Sequence, residues 1–297
     1  MRMKFVEFLE TRIIKISAFV LSIVCKILMF PAIVYPGTFA FISTIFVPIL
    51  LDIVVPMDKP RPRKFPIQVE CFLDQQKYFY LYYFVITITG FVGMTVLMAT
   101  ENMFMIFVQH ACGLFEIVSH RVTCAFDKCL PERTPSKNKC RICIKLLSAC
   151  NVHQQCLEFM DNIQNKFASS YFVLCVLGVA SLSVNMFRLF EALTMNNMSE
   201  IITSGLFVYA HFCYVFWLNY FGQDLINHSE YLFQQICNAQ WCTAPVHAQK
   251  LLFVILQRSM KTSRIIIGSL LVTSLEGFAT LISMSLSYCM VIYSTRK

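Results

Sequence analysis

Few residues in this sequence have the types and spacing that chemistry needs. The six histidines, at 110, 120, 153, 211, 228 and 247, are scattered and form no His-x-x-x-His pair. No Gly-x-Ser-x-Gly elbow, phosphate-cradling glycine loop or Gly-x-x-x-Gly seam is present. Cys140-x-x-Cys143, with Cys124, Cys129, Cys150 and Cys156 near it, has half of a zinc knuckle, whereas a structural zinc site takes two such pairs or a Cys pair with a His pair. Reduced or acylated thiols are the simpler reading, so no metal, cofactor or disulfide is expected and no enzyme is indicated. Glu276 stands apart, because it lies in an apolar run where a charge is costly. Two readings of it are open, a carboxylate lining a cation path and a hydrogen-bonded structural glutamate.

The elements that hold these residues must be membrane helices. Of 297 residues 57% are apolar and 14% charged, and the mean hydropathy is +0.61. A soluble domain carries roughly 25% charged residues. The 28 Phe, 12 Tyr and 15 Met against 9 Gly suit long lipid-facing and helix-facing surfaces. Basic residues account for the net charge of +8, but they lie between apolar runs and form no stripe with interleaved aromatics, so lipid headgroups rather than nucleic acid are the expected anionic neighbour.

A crossing helix needs about 20 mostly apolar residues. Spans are expected at about 13–35, 77–100, 167–190, 201–222 and 265–293, with 34–55 the candidate for a sixth. Basic residues settle the direction, since they gather on the cytoplasmic side. Five spans put Arg2, Lys4, Arg12 and Lys15, the long series from Arg121 to Lys166, and Lys250, Arg258, Lys261 and Arg264 inside. A six-span arrangement would put the two longest basic loops outside. The expected topology is a cytoplasmic N-terminus, an external lid-like segment at 36–76, cytoplasmic segments at 119–166 and 223–264, and an external C-terminus. The sequon Asn197-Met198-Ser199 then falls outside, where a glycan could be attached or where the match is chance.

Leu146, Leu147, Cys150, Val152, Leu157, Met160 and Ile163 recur mostly at three- and four-residue steps and run into the span beginning near Phe167, which predicts a helix continuing beyond the membrane. Leu225, Leu232, Ile236, Leu251, Val254 and Ile255 form apolar faces on both sides of Pro245. These faces pack either within the chain or against another subunit. Lys26 and Arg188 lie near span ends, from which their stems can reach water. Ser269, Thr273, Ser274, Thr280, Ser283, Ser285 and Ser287 give the last run a hydroxylated character that suits water lining or close helix packing equally. The fold class is therefore all-α, a polytopic transmembrane helical bundle with cytoplasmic helical extensions, in one domain over 1–297.

The C-terminal third, through Gly222, Ser229, Trp241, Lys250, Arg258, Lys261, Gly268, Phe278 and Ser287-Tyr288, resembles the insect odorant receptors. Upstream, the Pro56 to Pro66 stretch before Phe72-Leu73-Asp74, the run from Gln109 to Phe115, and His153-Gln154 leading to Phe159 are similar to that family too, especially its hymenopteran members. The resemblance implies a seven-helix subunit of an odorant-gated, non-selective cation channel, assembled as a tetramer with a shared co-receptor in the dendritic membrane of sensory neurons. It starts just before the family's third helix, so the first two helices are expected to be missing from this sequence.

The resemblance also assigns residues. The last helix would line the pore, with Val291, Ser294 and Thr295 at its constriction and external mouth, and Ser287 and Tyr288 with Glu276 along it. The odorant pocket in the outer half of the bundle would be offered by Ser22, Met29, Tyr83, Thr87, Phe91, Leu206 and Tyr209, which makes an apolar wall with few polar groups, suited to a small volatile ligand. Trp241, Leu252 and Arg258 would serve subunit contact. Two other classes remain, a non-conducting chemosensory receptor acting through cytoplasmic partners at the basic 121–145 loop, and a small-solute transporter; the lack of an internal repeat lowers the expectation of the latter.

Overall fold

The computed structural model describes scattered positions between 20 and 54, then residues 78–126, 135–239, 241, 244–268 and 271–296. The expected first span and external lid fall largely outside the described residues. Beyond them the elements are α1 (Phe79–Phe126), α2 (Pro135–Thr194), α3 (Met198–Asn238), α4 (Val246–Ser259), a two-stranded hairpin of β1 (Ile266–Ile267) and β2 (Leu271–Val272), and α5 (Leu275–Thr295). Four of them, α1, α2, α3 and α5, contain segments apolar and long enough to cross a membrane.

Length separates spanning from projecting parts. At 1.5 Å per residue, the 48 residues of α1 and 60 of α2 extend to roughly 70 and 90 Å, against a hydrocarbon core of about 30 Å. Each therefore continues far beyond one membrane crossing. The expected extension through Leu146, Met160 and Ile163 is thus observed as one uninterrupted helix, with all three residues buried. The turn between α2 and α3 is tight. Asn196 adopts a left-handed φ of 54° and the Asn197 N–H reaches back to the Ala192 carbonyl at 3.1 Å, the helix-ending pattern that asparagine tolerates.

The described chain forms two compact units, one comprising residues up to Phe104 with Asn185–His211, the other Met105–Val184 with Phe212–Lys297. In the second, α1 and α2 run antiparallel. Arg121 Nη1 donates to the Ser148 carbonyl at 3.0 Å, Lys145 Nζ to the Cys124 carbonyl at 3.0 Å, and the Cys156 thiol to the Ala111 carbonyl at 3.7 Å. Partners thus fall in number along α2 as they rise along α1. Around this pair are the fully buried Val108, Phe115, Val118 and Val122 of α1 and Phe221, Leu225, Leu232 and Ile236 of α3. Of the apolar faces on either side of Pro245, Leu225, Leu232, Ile236 and Ile255 are buried within the chain, whereas Leu251 is half-buried and Val254 exposed.

The apolar run expected as a span at 265–293 is in fact divided. Gly268 has φ +57°, a value open to glycine at little cost, and a Cβ there would strike the Phe172 ring. This turn pairs Ile266 with Val272 and Ile267 with Leu271. Gln164 of α2 fixes the hairpin by accepting from the Ile266 N–H at 2.8 Å and donating to the Ile266 carbonyl. Ser274 then caps α5, its hydroxyl accepting the Gly277 N–H at 3.0 Å. The part long and apolar enough to cross a membrane is the 21 residues of α5, about 31 Å of helix.

Candidate functional site

α5 has two faces. Gly277, Leu281 and Ser285, four apart, are buried. Glu276, Thr280, Ser283, Ser287, Val291 and Ser294, at steps of three and four, are exposed and form a single stripe. Tyr288 and Thr295 are exposed beside it, and an open groove follows its first half from Glu276 to Tyr288. Glu276 sits in the first turn of α5, not deep within an apolar run. The placement has a physical reason, because a carboxylate there meets the positive end of the helix dipole. Thr280 Oγ1 donates to the Glu276 carbonyl at 2.9 Å and Ser287 Oγ to the Ser283 carbonyl at 2.9 Å. Their donors are spent on the backbone; their oxygens still accept.

The expected pocket residues belong to the first unit. Tyr83, Thr87 and Phe91, at i, i+4 and i+8, share one face of α1, and Leu206 and Tyr209, at i and i+3, share a face of α3. The Phe91 ring lies 6.3 Å from that of Tyr35. Thr87 Oγ1 is buried with no hydrogen-bond partner among the described residues, which is costly for a hydroxyl in apolar surroundings. Tyr209 and Met29 are exposed, Leu206 and Tyr83 half-buried, and Ser22 lies outside the described residues. In the other unit a small cavity of about 20 Å³ between α2, α3 and α5, walled by residues such as Leu182, Leu218 and Leu281, contains none of the expected pocket residues.

The residues expected at a subunit contact differ among themselves. Trp241 is exposed. Leu252 is 3% exposed, part of the buried Ala248, Leu252, Ile255 and Ser259 stripe by which α4 packs on its own chain, while its neighbours Phe253 and Val254 are exposed. Arg258 is half-buried and donates to the Lys261 carbonyl at 3.0 Å.

The guanidinium of Arg258 also acts on α2, in the part of that helix preceding its apolar span. Burial, aided by the positive charge of Arg258, lowers the His153 imidazole to about 4, so it is neutral at physiological pH. Burial pushes the Cys156 thiol up to about 12, with Arg258 opposing, and it remains a protonated donor. Sequence reasoning missed a second cluster, in which Cys112, Asp224 and His228 converge in the second unit. The only local signal for it was the Asp224-x-x-x-His228 spacing.

Comparison with known proteins agrees with this architecture. The family model described as 7tm Odorant receptor matches residues 11–286. No curated protein sequence matches the chain. Among solved structures, the insect olfactory receptor OR5 from Machilis hrabei in complex with eugenol superposes with a TM-score of 0.71 at 13% identity, covering 96% of this chain and 69% of that one. The same receptor in a second structure gives a TM-score of 0.65 at 12% identity, over 95% and 68%. At such identities the likeness carries the fold, and the family match carries the assignment: this chain is a multi-pass membrane protein, not an enzyme, and belongs to the 7tm odorant receptor family.

Proposed function

We propose that this chain is an olfactory receptor subunit that binds small volatile odorants in the outer half of its helical bundle and, with a co-receptor, gates a non-selective cation pore lined in part by α5. The observation that carries this reading is the exposed stripe of α5, with Glu276 at one end and hydroxyls at Thr280, Ser283, Ser287 and Ser294 along it. A carboxylate at the mouth concentrates cations, and hydroxyl oxygens supply acceptors along a wet path. Such a face is suited to a lumen shared between subunits. The chain would have a cytoplasmic N-terminus and an external C-terminus, so Glu276 would lie at the cytoplasmic mouth and Ser294 and Thr295 at the external one.

Ligand binding favours opening only to the extent that the open state binds the ligand more tightly. In the proposed pocket, Tyr83, Thr87 and Phe91 of α1 and Leu206 and Tyr209 of α3, with Ser22 and Met29, offer mainly apolar area and one buried hydroxyl. The test is patch-clamp recording from cells expressing the receptor together with the co-receptor. Odorant-evoked cation current is expected, with the dose-response moved to higher concentration by Tyr83→Ala and Tyr209→Ala. Silence across a broad odorant panel, with the protein at the cell surface, would overturn the reading.

A further inference from the structure

Two helical faces converge in the second unit. Gln109 and Cys112 are three apart on α1, and Asp224 and His228 four apart on α3, so each pair shares a side of its helix. The Cys112 sulfur, an Asp224 carboxylate oxygen and a His228 ring nitrogen all lie within 4.8 Å of one another. Cys112 is completely buried; Asp224 and His228 are half-buried. We propose that Cys112, Asp224 and His228 form a zinc-binding site that ties α1 to α3.

The donor set selects the metal. Calcium and magnesium take oxygen ligands. A thiolate with an imidazole and a carboxylate suits zinc, which accepts S, N and O ligands in tetrahedral geometry at about 2.0–2.3 Å and leaves a fourth position for water when the protein supplies three. Ligand atoms in such a site stand roughly 3.3–3.8 Å apart, so these side chains need to close by at most about 1.5 Å. Binding transfers the Cys112 thiol proton to solvent. The thiolate and the Asp224 carboxylate together then balance the two positive charges, and no net charge is buried.

The surroundings resemble the outer shell of a metal site. Gln109 Nε2 donates to Asp224 Oδ2 at 2.8 Å, orienting the carboxylate. His228 Nδ1 lies 2.8 Å from the Asp224 backbone carbonyl and 3.8 Å from its Oδ1. A proton on Nδ1 donated to that carbonyl leaves Nε2 with the lone pair a metal takes.

Cobalt is the probe that separates this site from the many other thiols. The purified, chelator-stripped complete chain, in nanodiscs, is titrated with Co²⁺. The expected result is one equivalent showing thiolate-to-cobalt charge transfer and the visible bands of a tetrahedral ion, displaced by Zn²⁺. That equivalent is lost in Cys112→Ser and His228→Asn, and Gln109→Leu weakens it by roughly 10–100-fold, as outer-shell changes do. Thermal unfolding guards against misfolded variants: Zn²⁺ raises the Tm of the parent protein and leaves that of His228→Asn, at a half-exposed position, unchanged. Retention of the spectrum in both ligand variants, or no cobalt bound by the parent chain, would overturn the proposal.

Discussion

Asn219 on α3 holds the start of α5. Its Oδ1 accepts the Ser274 backbone N–H at 3.1 Å while its Nδ2 donates to the Val215 carbonyl at 2.8 Å. Four residues on, Gln223 Oε1 accepts the Leu275 N–H at 3.3 Å. Helix starts leave unsatisfied N–H groups, and here α3 supplies two of the acceptors. Close contact makes this possible. A Cβ on Gly222 would collide with Thr273, and one on Gly277 with the Val272 carbonyl and, at 3.1 Å, with Asn219 Oδ1.

Asn219→Ala therefore strips a buried N–H of its acceptor, a loss of about 1–3 kcal/mol. Lowered thermal stability is the expected outcome, measured by unfolding of the purified protein. In the recording assay, the current per surface-expressed receptor is also expected to fall, because α5 no longer follows α3. Unchanged stability and current would show that the Asn219 bond matters to neither.

What could be read in the sequence, and what could not, follows from range. The extension of α2 was legible because Leu146, Cys150, Leu157, Met160 and Ile163 repeat on one helical face. The division at Gly268 was hidden, since Ile265 to Leu271 is as apolar as the helix after it; the visible hints were Gly268 itself and the cap of Ser274 followed by an acid at 276. Leu252 is assigned to subunit contact by the resemblance, and only the fold shows that it is buried on the face by which α4 packs on its own chain. Cys112 and Asp224 are far apart in sequence, and nothing local announces their meeting.

The Thr87 hydroxyl offers a separation of stability from response. It is buried without a partner among the described residues, and a hydroxyl so placed carries a desolvation cost. Replacement by the near-isosteric Thr87→Val removes that group. The expected outcome is a protein at least as stable as the parent, by thermal unfolding, but less sensitive to odorants that can hydrogen-bond, with purely hydrocarbon odorants little affected. Equal loss for both odorant classes would place the effect in packing rather than in the hydroxyl.

His153 predicts a pH dependence of stability. The imidazole titrates at about 4 in the folded chain against 6.5 when unperturbed, chiefly because it is buried and secondly because Arg258 is near. Above pH 6.5 both states are neutral and the group contributes nothing. Between 6.5 and 4 the unfolded chain takes up a proton that the folded chain does not, so stability falls as the pH is lowered through this window and the loss levels off below about 4. His153→Phe removes this titration while keeping a ring beside Phe115, whose centroid lies 6.3 Å from that of His153. The fall in Tm from about pH 7 to 4 should be shallower in the variant; parallel curves would mean that His153 does not contribute.

The two faces of α5 give the sharpest contrast. Ser287 is exposed on the stripe, and Ser285, two residues away, is buried at 0%. Both are serines on the same helix, so cysteine costs little volume at either. With Cys289, which is half-buried, first replaced by serine, a charged, water-borne thiol reagent applied during odorant-evoked opening should block current in Ser287→Cys and leave Ser285→Cys conducting. The block should form faster with odorant than without, because an open pore admits the reagent. Thr280→Cys, two turns nearer Glu276, should behave as Ser287→Cys does, and a cationic reagent should react there faster than an anionic one, since the Glu276 carboxylate attracts the former. Equal block at 285 and 287 would mean that the exposed stripe does not face the conducting path. Block at 285 alone would turn the helix round, with the hydroxyl stripe packed against a neighbouring subunit.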